Sequence, residues 1–276
     1  RNVLRHEVLL PMNFARFCPL NASKFAEREF LIESYPSRGF RRALTWAEFE
    51  DKTNKIANYL RNVCGIGKGD FVQHLMTNSL EWYITYMAVL KTGAAVSPLN
   101  FRFASSDIKY ACDVIGSKVF ILGDTFTPRV DPIRGEMEYC EHYITVGDDG
   151  PSDMIRYDDI INHGDPTPLL ADVNEDDMAE LMFTSGTTGA PKGVMCTNGQ
   201  TVRAFNDWSS IVGLSAQDRY LIINPFFHAF GYKAGLVASL TKGCAMITQA
   251  VFDVGAAVES IEREKVSMIP GPPTLY

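Results

Sequence analysis

The stretch that decides the fold is Leu181-Met182-Phe183-Thr184-Ser185-Gly186-Thr187-Thr188-Gly189-Ala190-Pro191-Lys192-Gly193. Its first three residues are apolar, the pattern of the end of a buried strand. Hydroxyl residues, glycines and one lysine follow. Gly186 and Gly189 reach positive φ at little cost, so successive backbone N–H groups can turn toward one anion. Thr184, Ser185, Thr187 and Thr188 add neutral donors that rotate to suit. Lys192 adds a point charge suited to a polyphosphate, and Pro191 stiffens the loop. This is the chemistry of a phosphate cradle. The ordinary P-loop is excluded, because it requires Gly-Lys followed by Ser or Thr, whereas Lys192 follows Pro191 and precedes Gly193. The plain alternative is a flexible surface loop. The apolar run before it and the Pro-Lys-Gly ending argue against that.

Outward from this stretch, helix and strand patterns alternate. Thr45-Trp46-Ala47-Glu48 reads as a capping box. Phe49, Ile56, Leu60 and Val63 then share one helical face, and Gly65 stands where that helix stops. Residues 71–76 read as a strand, and Ser79 caps a helix carrying Trp82, Tyr83, Tyr86, Met87 and Leu90. Strands are expected at 94–96, 118–122 and 143–146, with helices at 107–115 and 158–162. Past the loop, 194–196 return as a strand, 200–212 form a helix and 218–223 a strand. A helix over 233–240 and a strand over 245–248 follow, and Asp253 caps a last helix. Alternation at this interval predicts an α/β fold, with mostly parallel sheets layered with helices. Residues 164–179 are turn-rich and then acidic (Asp172, Glu175, Asp176, Asp177), read as a solvated linker rather than a cation site. They suggest a first subdomain over 1–170 and a second, bearing the loop, over 171–276.

A chain of 276 residues can bury a large core. Its net charge of −7 argues against nucleic acid as a partner, since phosphate backbones demand a basic face. An anionic ligand must therefore be held by local groups. The six cysteines are scattered, with no Cys-x-x-Cys. That spacing suits buried reduced thiols rather than a metal site or a disulfide framework. No apolar run is long enough for a transmembrane segment, and no signal-peptide core opens the chain. A cytoplasmic location is expected.

The residues Thr184-Ser185-Gly186-Thr187-Thr188-Gly189-Ala190-Pro191-Lys192-Gly193 resemble the signature loop of the adenylate-forming superfamily, which includes acyl-CoA synthetases, peptide-synthetase adenylation domains and beetle luciferases. Two further stretches agree. Pro225-Phe226-Phe227-His228-Ala229-Phe230-Gly231 resembles that family's second signature, and residues 90–100 resemble a third, structural one from which no chemistry is expected. The resemblance implies the αβαβα-type large N-terminal domain of these enzymes, incomplete at its C-terminal end. It implies an AMP-forming acyl-CoA synthetase using ATP, Mg²⁺, CoA and a small-molecule carboxylic acid, and is compatible with a homodimer. Carried over residue by residue, Thr184, Ser185, Gly186, Thr187, Thr188, Gly189 and Lys192 hold the triphosphate, with the Thr184 hydroxyl on the metal side. Lys192 and His228 serve the reaction. By the same resemblance His228 lies beside the carboxylate and the α-phosphate. Read from their own chemistry, Phe227, Phe230, Gly231, Tyr232 and Gly235 could join it in shaping a substrate pocket, the two glycines letting an apolar chain pass close to backbone, with plain core as the alternative. His228 is not assigned as a general base, because the attacking group is already a carboxylate.

Family members run to about twice this length, more than one compact domain needs. Their adenine- and ribose-binding motifs and the lysine-bearing C-terminal domain are expected beyond Tyr276. This stretch alone is then expected to be inactive. Apolar flanks and the absence of a nearby acidic residue favour the acyl-CoA branch over amino-acid activation. A non-catalytic nucleotide-binding module, a luciferase-like enzyme and an aryl-acid ligase are the alternatives.

Overall fold

In an inner strand of the larger sheet, alternate residues serve different cores. Val119 and Ile121 join one buried cluster, while Phe120 and Leu122 join another. That period of two is what a strand covered on both faces requires. The computed structural model describes residues 13–184 and 191–273.

The first elements are α1 (Phe17–Phe25), β1 (Glu29–Tyr35), β2 (Phe40–Thr45), α2 (Trp46–Asn62), β3 (Phe71–Leu75), α3 (Leu80–Lys91) and β4 (Ala95–Pro98). Next come α4 (Ser105–Ile115), β5 (Val119–Gly123), α5 (Thr127–Val130), β6 (His142–Val146), β7 (Ile155–Arg156) and α6 (Tyr157–His163). The remainder holds β8 (Met178–Thr184), β9 (Lys192–Thr197), α7 (Asn198–Ile211), β10 (Arg219–Ile222), α8 (Ala229–Tyr232), α9 (Ala238–Lys242), β11 (Ala245–Thr248) and α10 (Val254–Arg263).

These strands form a seven-stranded sheet in the order β7-β6-β5-β3-β4-β8-β9 and a four-stranded sheet in the order β10-β11-β1-β2. Both are parallel except at one edge, where β9 runs against β8 and β2 against β1. Helix α4 packs its Ile108, Ala111 and Cys112 on the outer face of the larger sheet, against Leu75, Phe120 and Leu122. Helix α10 covers the outer face of the smaller sheet, Ala257 joining Ile32, Leu221 and Ile247. Between the sheets, α3 touches both β4 and β1. From Trp82 to Lys91 its residues are buried on every side, which is why its sequence lacks an amphipathic stripe. The five layers match the expected αβαβα arrangement.

Each sheet takes strands from both sides of residue 170, with β8 beside β4 and β11 beside β1. The expected boundary therefore does not separate one sheet from the other. The acidic run meets cations along the surface. Asp177 pairs with Lys68 at 2.7 Å and Glu175 with Arg203 at 2.6 Å. Among the described residues no cluster of His, Cys, Asp and Glu could hold a metal ion, and no helix is long and apolar enough to cross a membrane.

Local signals acted as their chemistry dictates. The Thr45 hydroxyl accepts from the Glu48 N–H at 3.2 Å, and the Glu48 carboxylate accepts from the Thr45 N–H at 2.8 Å. Two expectations need correction. Val63 was placed on the buried face of α2, yet it lies past the last helical residue and is exposed. The helix expected over 233–240 begins earlier, at Ala229, and passes through a π-helical stretch at Lys233–Val237 before α9. Strand β2 had no strand reading. Its Arg41 and Arg42 look like loop residues, but they pair with Glu29 and Glu264, and with Glu33 and Glu81. Charges on a sheet edge of this kind also discourage edge-to-edge pairing.

Candidate functional site

In open α/β sheets the carboxyl ends of parallel strands deliver loops into a shared crevice. Here β8 and β4 of the larger sheet and β10 of the smaller one do so together. Thr184 ends β8, Asn100 follows β4, and Phe227 and His228 follow β10. Together with Met182 and Phe103 they line a cleft of about 310 Å³.

The candidate phosphate loop stands on a hairpin. Thr184 pairs with Lys192 and Phe183 with Gly193 in the antiparallel β8–β9 ladder, and the Thr184 hydroxyl donates to the Lys192 carbonyl at 3.4 Å. Thr184 and Lys192, the pair of this ladder next to the loop, are exposed. Ser185, Gly186, Thr187, Thr188 and Gly189, expected to cradle phosphates, lie outside the described residues.

The turn bearing His228 is fixed by Asn78, which follows β3. The Asn78 side chain donates to the Asn224 carbonyl at 3.0 Å and accepts from the Phe226 N–H at 2.8 Å. This buried amide ties the exit of the larger sheet to the exit of the smaller one. His228 then caps α8, its Nδ1 accepting from the Phe230 N–H at 3.2 Å. An accepting Nδ1 leaves the proton of a neutral ring on Nε2, so His228 offers a hydrogen-bond donor while its other nitrogen holds the turn. Phe227 stands edge-on to Phe101, with ring centroids 5.1 Å apart. On the far side of that pair a second, largely apolar cleft of about 320 Å³ runs between Asn224, Pro225, Val251 and Phe252.

The structure corrects part of the expected acyl pocket. Phe227 and His228 line the cleft, and Phe230 lies half-buried just beyond it. Tyr232 is fully buried, its ring among Trp82 and Tyr86 and its hydroxyl on Glu180. Gly235 packs against Ile222, and a Cβ there would lie 3.0 Å from that side chain. Gly231 is small for a backbone reason, since a Cβ would fall 2.1 Å from the Pro225 carbonyl oxygen. The two glycines thus seat the helix on the turn and on β10 rather than opening a path for ligand.

Sequence reasoning passed over Asn78, Asn100, Phe103, Met182 and Glu180. Asn100 closes the third signature stretch, which was read as structural only. A polar residue directly after a buried parallel strand was the available signal for Asn100. Asn78, between β3 and the Ser79 cap, had the same signal. Glu180 carried another, a carboxylate inside an apolar strand. By contrast His74 is a buried residue of the core, away from the cleft lining. Its Nε2 lies 2.6 Å from the Thr85 hydroxyl, and burial pushes its pKa down to about 3.

A larger cavity, about 550 Å³, lies between β1, β2 and the end of α10. Its Arg41 and Arg219 are already paired with Glu29 and Glu264. The strand-end cleft has the better claim as the site, because its hydroxyl, its amide and its imidazole are set on converging strand ends.

The family model described as "AMP-binding enzyme" matches residues 19–276. A methyl-dioxo-octahydro-indenyl propanoyl:CoA ligase of Mycobacterium tuberculosis is 34% identical over 77% of this chain and 43% of its own length. A feruloyl-CoA synthase of an Amycolatopsis species is 32% identical over 85% of the chain and 44% of its own. The crystal structure of the N-terminal domain of FACL13 from Mycobacterium tuberculosis superposes with a TM-score of 0.84 at 28% identity, covering 95% of this chain and 63% of that one. The chain spans about half the length of the curated relatives it matches.

Proposed function

Because the chain belongs to the AMP-binding enzyme family, we propose that it supplies the phosphate-loop half of an ATP-dependent acyl-CoA synthetase. The observation that carries this reading is the meeting of Thr184, from one sheet, and His228, from the other, in a single cleft. In the proposed reaction a carboxylate oxygen attacks the α-phosphorus of ATP and pyrophosphate leaves. The CoA thiolate then attacks the acyl carbon and AMP departs.

The chemical need is charge management, because an anion attacks a polyanion. Lys192, at the foot of the loop, supplies a positive charge toward the β- and γ-phosphates. The Nε2–H of His228 supplies a neutral donor on the acid's side of the cleft. Phe227 and Met182 offer apolar surface to the acid. Thr184 presents an exposed hydroxyl whose hydrogen bond to the Lys192 carbonyl is long, which fits a Mg²⁺ ion held mainly by phosphate oxygens and water. When bound, that ion would neutralise phosphate charge. A cytoplasmic location goes with these substrates. The indenyl propanoyl:CoA ligase and the feruloyl-CoA synthase are named for ring-bearing acids, so a ring-bearing acid is our proposed substrate class ahead of a plain fatty acid.

The test is acid-dependent ATP–pyrophosphate exchange and thiol-dependent AMP release by the intact protein, against fatty, aromatic and alicyclic acids. Activity with at least one acid is expected. Silence across all three classes, with ATP bound, would instead favour a nucleotide-binding module. The 276-residue chain on its own is expected to give no exchange.

A further inference from the structure

Directly behind the cleft lies a buried ionic cluster that the reaction does not use. Glu180 is fully buried, and both carboxylate oxygens are saturated. Oε1 meets the Lys233 ammonium and accepts from the Thr201 hydroxyl at 3.0 Å. Oε2 accepts from the Tyr86 hydroxyl at 2.7 Å and from the Tyr232 hydroxyl. These donors come from α3, α7, α8 and the π-helical stretch, so one carboxylate joins four elements to β8. Burial works against the charge on Lys233, but the adjoining Glu180 outweighs it and holds its pKa above the ordinary value.

The cluster touches the cleft through Met182. This residue lines the cleft, and its sulfur lies 3.0 Å from the Tyr232 hydroxyl oxygen, whose one proton goes to Glu180. Glu180 and Met182 lie on the same face of β8, so the ion pair sits one step deeper than the cleft floor. Lys233 also opens the π-helical stretch, a widened turn that often marks functional positions. A buried pair gains little over apolar residues of equal volume, but it holds its partners in one geometry when every donor is satisfied.

We propose that Glu180 and Lys233 are positioning residues that close the inner end of the cleft beneath Met182 and thereby limit the size of the acid accepted. Tyr232 transmits their geometry to the Met182 side chain. With the pair in place, β8 and the helix after His228 cannot part, so an acyl chain cannot extend between them. The acid class that fits is compact, a ring system rather than a long chain. This inference rests on the acid-activating reading of the cleft.

The experiment compares the intact wild-type protein with Tyr232→Phe and with the double variant Glu180→Met/Lys233→Met. The readout is the ratio of kcat/KM for a bicyclic acid to that for a sixteen-carbon fatty acid, as in the exchange assay at about saturating ATP. A ratio is insensitive to the fraction of enzyme folded, which a purely structural role would change. We expect the ratio to fall about tenfold in the double variant and about threefold in Tyr232→Phe, with KM for ATP unchanged. Lys233→Arg, which keeps the charge, should hold the ratio near wild type. Tyr232→Phe retains the ring and keeps the test valid if the double variant fails to fold. An unchanged ratio in Tyr232→Phe and in any folded double variant overturns the inference while leaving the acid-activating reading intact. A wild type inactive with every acid defeats that reading and this inference with it.

Discussion

Strand β8 holds two opposite solutions to the problem of a polar side chain. At Glu180 the carboxylate is dry, and four donors from other elements satisfy it. At Thr184, on the same strand, the side chain is exposed and makes, among the described residues, one hydrogen bond of 3.4 Å. The helix after β10 repeats the contrast, with His228 exposed at its start and Lys233 buried further along. The difference follows from desolvation. A buried charge without partners is very costly, so the inner groups are committed to one another. The outer groups remain hydrated and free to exchange water for a ligand. Stability should therefore depend on the inner set and activity on the outer set.

The contrast breaks most visibly at Lys233. Lys233→Met leaves the Glu180 carboxylate buried without its cation, and chemical denaturation should register a loss of about 3–5 kcal/mol. The double variant Glu180→Met/Lys233→Met should recover most of it. Equal losses in the two would mean that packing, not charge, dominates there.

Gly231 tests the seam between the inner and outer sets. In Gly231→Ala the new Cβ meets the Pro225 carbonyl oxygen, which belongs to the backbone and cannot rotate away. A destabilisation of about 2–3 kcal/mol is expected from the strained turn. Gly235→Ala, which meets only the Ile222 side chain, should cost less. The reverse order in thermal melts would show that the turn yields more readily than β10.

His74 extends the inner set to pH. Its pKa is held at about 3 by burial, against 6.5 for an ordinary histidine. Below the ordinary value the unfolded chain binds a proton that the folded chain does not. The stability from a neutral His74 is thus fully present above pH 6.5 and is lost as pH falls toward 3. His74→Gln should flatten the stability profile between pH 6.5 and 4.5 by about 1–2 kcal/mol. Parallel profiles for the two proteins, measured by urea titration, would refute this.

The smallest stability effects belong to the outer set. Thr184→Val and Lys192→Ala should each move stability by less than about 0.5 kcal/mol, because both side chains are exposed. In the intact protein each should nonetheless lower kcat about a hundredfold if the cleft performs adenylation. A large melting shift with little change in kcat would invert the division between inner and outer sets.

Much of this was legible in the sequence where neighbours along the chain decide the outcome. Thr45 and Glu48 cap α2 three residues apart, and the apolar run before Thr184 is a strand. Less legible was anything decided across the chain. Tyr232 looked like a pocket aromatic because its neighbours are, but Glu180, 52 residues away, draws its hydroxyl inward. Asn78 showed its place, as a polar residue after a strand, but not its partner, because the backbone it holds lies 148 residues later at Phe226.

By itself the sequence determined the alternation of helix and strand and the place of the hydroxyl-, glycine- and lysine-rich loop after a strand. Caps and periodicities act over a few residues and need no distant partner. Only the tertiary structure decided which strands share a sheet, and which side chains face the cleft rather than the Glu180 cluster. Those outcomes depend on desolvation and on contacts between segments far apart in the chain, which no local pattern encodes.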